Sequence, residues 1–281
     1  LVLYGDVRYK PTSEVLEMKT ELILGDCIAE MSKMEPGSVD LTVTSPPYDN
    51  MRSYKGSLEW GEEIWKEVLK GLYDVTAEGG VVVWVVGDAT IKGSETGTSF
   101  KQALYAMECG FRLHDTMIWS KPSVPPTQKN RYQQSFEYMF VFTKGVTRIF
   151  NPLQDVSKTA GRVRKRHRTK KGNHELNGEG EYTTKDTKMI NNLWSEAVCS
   201  EKNIKHPAKF PEKLATDHIL SWSNEGDLVF DPFLGSGTTG KMAVLNNRRF
   251  VGIEKVQEYY DIAAQRIQDA QPKTELERLL G

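Results

Sequence analysis

Residues 227–241 read DLVFDPFLGSGTTGK. A short apolar run stops on Asp231, a glycine-rich turn follows, and a helix candidate opens at Thr239. This is the form of a ligand site at the C-terminal end of a parallel strand. The glycines permit a tight turn and let the backbone approach a ligand closely. The overlapping stretch GSGTTGKM, 235–242, also fits most of the phosphate-binding pattern GxxxxGK. The position that should carry a magnesium-binding hydroxyl is Met242, which argues against that reading. Asp231 opposes a polyphosphate and suits a cationic ligand.

The next stretch, RRFVGIEK at 248–255, places Glu254 at the end of the following strand, where an acid takes ribose hydroxyls. An adenosine bearing a positive centre answers both acids, and S-adenosylmethionine is such a molecule.

Outward from this turn, short apolar runs alternate with helical stretches, the pattern of an α/β fold. Strand candidates are Glu21–Gly25, Val39–Thr44, Val81–Val86, Leu113–Trp119, Tyr138–Phe142, Leu228–Phe230 and Phe250–Ile253. Most are unbroken apolar runs, as expected of strands buried on both faces. Helix candidates are Leu58–Thr76, Ser99–Cys109, Pro211–Ser223, Thr239–Asn246 and Val256–Gln268. Pro211 suits a first helical position, and Gly79-Gly80 suits a helix stop followed by a strand. The expected architecture is a Rossmann-like, seven-stranded, mostly parallel sheet flanked by helices. Asn151 to about Glu196 breaks the rhythm: it is polar, charged and weakly periodic, the mark of a functional insertion or disorder. The stretch PSVPPTQKNRYQQS, 122–135, reads as a stiff surface loop.

The Val39–Thr44 run ends on SPPY, 45–48. Two prolines cannot continue a ladder, and they fix the direction of the carbonyl between them. SPPY and DPFLGSGTT, 231–239, resemble the two hallmark motifs of amino-group DNA methyltransferases. The catalytic motif precedes the cofactor motif with a polar insertion between, an order similar to the β group of that family. HPAKFPEKLA, 206–215, resembles the segment leading into the cofactor strand, and LGDC, 24–27, resembles one that supplies an acidic cofactor contact. The resemblance spans roughly Leu22 to Ile267.

It implies methyl transfer from S-adenosylmethionine to an exocyclic base amine. The implied catalytic residues are Ser45, Pro46, Pro47 and Tyr48. The implied cofactor contacts are Asp26, Cys27, Ser45, Lys209, Phe210, Asp231, Pro232, Phe233, Gly235, Ser236, Gly237, Thr238, Thr239 and Glu254. The implied organisation is an N-terminal extension (1–20), a catalytic half (21–150), a target-recognition insertion (151–196) and a cofactor-binding half (197–281).

The chemistry explains the residue types. An exocyclic amine is a poor nucleophile because its lone pair is delocalised into the ring. The Ser45 hydroxyl and the Pro46 carbonyl can accept its N–H groups and turn the lone pair toward the donor. Tyr48 offers a face on which an extruded base stacks, since a base must leave the duplex to react. Serine at 45 favours cytosine N4 as the target; adenine N6 is the alternative.

The three cysteines, Cys27, Cys109 and Cys199, are scattered, which argues against a disulfide framework or zinc cage and for a reducing compartment. None follows a proline, as a carbon-5 cytosine methylase would need, and the HxE and PCxxC set of a zinc deaminase is missing. No run of about eighteen apolar residues and no signal peptide is present, so the expected compartment is the cytoplasm.

Net charge is −1, yet RVRKRHRTKK, 162–171, holds seven Lys or Arg in ten positions without an acid. Arg162, Arg164, Lys165, Arg166, Arg168, Lys170 and Lys171 are candidate contacts to DNA phosphates or guanine edges. Arg131 and Tyr132 are candidates near the flipped base. Double-stranded DNA is the expected partner; a cognate restriction endonuclease and a homodimer stay open. An RNA or protein amine methyltransferase would not need the basic insertion, and an inactive DNA-binding protein would not bind the cofactor.

Overall fold

A computed structural model describes residues 2–3, 20–47, 60–124, 130–165, 169–171, 174–176, 181–197 and 211–271. Tyr48, Lys209, Phe210, Arg166 and Arg168 lie outside the described residues, as do the side chains of Lys170 and Lys171. Contacts divide the chain into two units, one of Leu1–Ser13 with Pro152–Asn191, the other of Glu14–Asn151 with Asn192–Gly281.

The larger unit holds an eight-stranded sheet. Its strands are β1 (Thr20–Leu24), β2 (Val39–Thr44), β3 (Thr76–Val86), β4 (Arg112–Ser120), β5 (Phe136–Thr143), β6 (Leu193–Ser195), β7 (Leu228–Asp231) and β8 (Arg249–Glu254). The order is β6-β4-β5-β3-β2-β7-β8-β1. Only β5 runs antiparallel to its neighbours; the other pairs are parallel.

The helices are α1 (Cys27–Met31), α2 (Glu62–Val75), α3 (Thr98–Glu108), α4 (Glu212–Trp222), α5 (Thr238–Leu245) and α6 (Gln257–Ala270). Helices α1, α2 and α3 pack in series on one face, and α4, α5 and α6 pack in series on the other. Coverage on both faces is why the central strands read as unbroken apolar runs. Val81 to Val86 are all buried. On α2 the buried positions Trp65, Val68, Leu69, Leu72 and Val75 fall at helical spacing and meet Val82, Trp84 and Val86 in one core. Each such side chain contributes about 1.5–3 kcal/mol by leaving water.

Four sequence expectations are corrected. The sheet has eight strands, not seven, because β6 returns from the polar stretch and pairs with β4, Trp194 opposite Trp119. Three residues are too few to show a period. Helix α2 ends at Val75, and Gly79-Gly80 lie inside β3 rather than marking a stop. They serve an irregularity where the β2–β3 register shifts between Val39 and Leu41, with Gly79 at φ +73°. The five-residue α1 had no periodic signal. Pro211 precedes α4 as its cap, with extended ψ 132°, instead of opening its first turn.

The smaller unit is not irregular, as its composition suggested. Gln154–Val156 pairs with Val2–Leu3 and with Thr187–Met189; Val163–Lys165 pairs with Glu181–Thr183, and Thr169–Lys171 with His174–Leu176, all antiparallel. These three-residue strands are polar, so neither apolar alternation nor length gave them away.

Candidate active site

Strand β2 leads through α2 to β3 on one side of the sheet, whereas β7 leads through α5 to β8 on the other. The two are adjacent, Val229 opposite Leu41 and Phe230 opposite Thr42. Their C-terminal ends therefore open a crevice at a topological switch point, where ligands of open α/β sheets bind. Ser45, Pro46 and Pro47 leave β2 there, and Asp231, Pro232 and Phe233 leave β7. Motifs 187 residues apart in sequence touch directly: Thr44 Oγ1 donates to Asp231 Oδ1 at 2.7 Å. Thr239 Oγ1 donates to the Val43 carbonyl at 3.1 Å, tying the start of α5 to the same strand end.

Asp231 is 4% exposed. Burial pushes its carboxyl up to about 6, and Glu254 acts in the same direction. Hydrogen bonds from Thr44, from Phe233 N (3.0 Å) and from Thr239 work against that rise. Glu254 is also buried, and burial raises its carboxyl as well. Its oxygens accept from Gly235 N and Val256 N, each at 2.8 Å, so the acid fixes the glycine turn. Asp26 caps α1 through Ile28 N (3.1 Å) and Ala29 N (3.3 Å), and Lys255 Nζ stands 3.1 Å from its other oxygen. Partial burial raises its carboxyl, but Lys255 and the two backbone donors outweigh that and leave it below the ordinary value. Burial, with Asp26 beside it, pushes the Cys27 thiol up to about 12, which favours the neutral thiol.

The turn carries Gly235 at φ +53° and Gly237 at φ +79°. Gly235, Ser236, Gly237, Thr238 and Thr239 are all buried. Gly237 has no room for a side chain, since a Cβ would stand 2.8 Å from that of Ala263. Lys241, which a phosphate loop would aim at its ligand, instead donates to Glu212 Oε1 at 2.7 Å. The structure thus removes both the cation and the hydroxyl of the phosphate-loop pattern. Three acids, Asp231, Glu254 and Asp26, stand at the C-terminal ends of the adjacent strands β7, β8 and β1. That donor set fits a ligand with a positive centre and hydroxyls. Phe233 adds an apolar wall, with Trp60 edge-on to it at 5.4 Å; the Trp60 indole N–H has no acceptor among the described residues.

Beyond β3, a cavity of about 170 Å³ is lined by Gly87, Asp88, Glu95, Tyr132, Phe136 and Tyr138 among others. Tyr132 is 99% exposed at its edge. The Arg131 guanidinium meets the Gly93 carbonyl, Thr90 Oγ1 (3.4 Å) and Glu95 (3.5 Å), contacts that rest it on the Thr90–Glu95 turn. In the smaller unit Arg162, Arg164 and Lys165 are exposed, the latter two on a strand opposite Tyr182 and Glu181. Thr44, Lys255, Glu212 and Arg266 were not among the sequence candidates; Glu212 and Lys255 lie inside the HPAKFPEKLA and RRFVGIEK stretches, but their partners are distant in sequence.

The family described as DNA methylase, acting at N6 or N4, matches residues 39–265. Orphan methyltransferase M.BamHII of Bacillus amyloliquefaciens is 50% identical over 255 residues, covering 88% of this chain and 91% of that protein. DNA adenine methyltransferase YhdJ of Escherichia coli K12 is 28% identical over 271 residues, covering 92% and 85%. The solved PvuII DNA methyltransferase, cytosine-N4-specific, superposes with a TM-score of 0.66 at 23% identity, covering 90% of this chain and 92% of that one. The chain belongs to the DNA methylase family of amino-group, N6-adenine or N4-cytosine, methyltransferases.

Proposed function

We propose that this DNA methyltransferase transfers a methyl group from S-adenosylmethionine to the N4 amine of cytosine in duplex DNA. The observation that carries the reading is the hydrogen bond from Thr44 to Asp231. It holds the serine-proline tip and the buried acid of the glycine turn at one crevice. S-adenosylmethionine supplies an electrophilic methyl group on a sulfonium. Asp231 would face its positive end, Glu254 and Asp26 its hydroxyl and amine groups, and Phe233 its apolar surface. Lys209 and Phe210 join this set by the resemblance alone.

The chain's own contribution to the reaction is positional. Ser45 Oγ and the Pro46 carbonyl accept the two amine N–H groups and turn the nitrogen lone pair outward. The stiffness of Pro46-Pro47 keeps those acceptors fixed, so no reorganisation is needed as charge develops. Tyr48 would stack on the extruded base. Residues 151–196 form the proposed target-recognition insertion, with Arg162, Arg164 and Lys165 on phosphates. The proposed place of action is the bacterial cytoplasm.

Adenine N6 is the second reading, supported by the adenine relative described above. Serine at 45 supports cytosine. Incubation of the protein with duplex DNA and labelled S-adenosylmethionine, followed by nucleoside mass spectrometry, decides the matter. N4-methylcytosine is expected; N6-methyladenine replaces the base assignment; label in RNA and none in DNA sinks both.

A further inference from the structure

We propose that Arg266, on α6, is a positioning residue that locks the glycine turn in its cofactor-competent form. The inference rests on the cofactor reading above. One guanidinium nitrogen, Nη1, donates to the Ser236 carbonyl (2.6 Å), to Ser236 Oγ (3.2 Å) and to Thr238 Oγ1 (3.3 Å). The other, Nη2, donates to Glu212 Oε1 at 3.0 Å, the oxygen that also takes Lys241. The side chain is only 15% exposed, so these bonds are poorly replaced by water.

The geometry explains why a lock is required. The peptide joining Ser236 to Gly237 has its carbonyl on Arg266 and its N–H on the Leu234 carbonyl, at 2.8 Å. Gly237 sits at φ +79°, and glycine visits positive and negative φ with similar ease. The residue that makes the turn possible therefore makes the peptide easy to flip. Arg266 holds the carbonyl from outside the turn, and Glu212 fixes the guanidinium from the start of α4. The contacts thus reach from α6 through the turn to α4, the helix that opens within the HPAKFPEKLA stretch.

When a binding-competent form is only partly populated, apparent affinity falls by the populated fraction. Arg266→Met is expected to raise the calorimetric Kd for S-adenosylmethionine about tenfold, the fall expected if the turn spends about a tenth of its time competent. KM for DNA stays at the wild-type value, and amide exchange at Gly237 quickens. Arg266→Lys recovers part of the loss, because one ammonium reaches Ser236 but not all three acceptors. Glu212→Gln gives a smaller rise than Arg266→Met. An unchanged Kd in folded Arg266→Met overturns the proposal, and so does an equal rise in KM for DNA, which marks general damage. If Arg266→Met does not fold, Arg266→Lys and Glu212→Gln decide: wild-type affinity in both overturns the lock. A wild-type protein that binds no S-adenosylmethionine fails at a different point and refutes the cofactor reading itself.

Discussion

Asp231 should make cofactor binding depend on pH in a range where ordinary aspartates are silent. Its carboxyl is driven up by burial to about 6, against three hydrogen bonds that oppose the rise. A sulfonium or ammonium partner favours the ionised form. At pH 5 about one carboxyl in eleven stays ionised in the free protein, so affinity should fall about tenfold from its value at pH 7.5. Stability moves the other way. A folded-state value above the unfolded 3.8 means that ionised Asp231 opposes folding above pH 6. That penalty is relieved as pH falls from about 6 toward 3.8, by about 3 kcal/mol in full. Titration calorimetry with S-adenosylmethionine at pH 5, 6 and 7.5 measures the first effect. Asp231→Asn subtracts the cofactor's own ionisation and that of Glu254. At pH 7.5 this variant should bind about 10- to 100-fold more weakly, the loss of a charge-assisted contact. Parallel pH profiles for wild type and Asp231→Asn would refute the reasoning, whatever their slopes.

Three further perturbations test other parts of the site. Ser45→Ala should lower kcat about 100- to 1,000-fold and weaken cofactor binding far less, as when one preorganised partner of a transition state is removed; single-turnover labelling separates the two, and equal losses would mean the roles are wrong. Arg164→Ala with Lys165→Ala should flatten the plot of log affinity against log salt by about 0.9 for each phosphate no longer neutralised; an unchanged slope places the DNA elsewhere. Gly237→Ala forces a left-handed φ of +79° and puts a Cβ 2.8 Å from Ala263. It should cost about 2–4 kcal/mol in urea unfolding, and a neutral result would show that the turn has slack.

The sheet was legible because its strands are two-face buried. Val81–Val86 is apolar throughout, and Val39–Thr44 is apolar or β-branched at every position but Asp40. The edge strand β6 carries a single buried anchor, Trp194, between exposed Leu193 and Ser195, and no sequence period can be read from that. The two motifs were legible one at a time, but what joins them was not. Thr44 and Asp231 are 187 residues apart, and Thr239 and Val43 are 196 apart. Thr239 lies in the glycine-rich motif and Thr44 beside SPPY, but nothing local says which distant group either one meets. Arg131 was read only from its place in the Pro122–Ser135 loop, and its contacts with Thr90, Gly93 and Glu95, some forty residues back, have no local sign in the sequence.

The junction also bears on why position 45 is hard to read as a base selector. Ser45 follows Thr44, whose hydroxyl rests on the most deeply buried acid of the site. An aspartate at 45 would accept from a base amine as serine does, but it would bring a second negative charge close to Asp231. That carboxyl is already raised by burial and by Glu254, and a second neighbour of like sign would raise it further. At neutral pH less of it would be ionised, and the hold on a cationic cofactor would weaken. Exchanging serine for aspartate therefore perturbs two things at once, the contacts to the amine and the charge state of the acid behind them. A fall in turnover after such an exchange says nothing about the target base. The identity of the methylated nucleoside does, because the charge on Asp231 alters how tightly the donor is held and leaves the shape of the base unchanged.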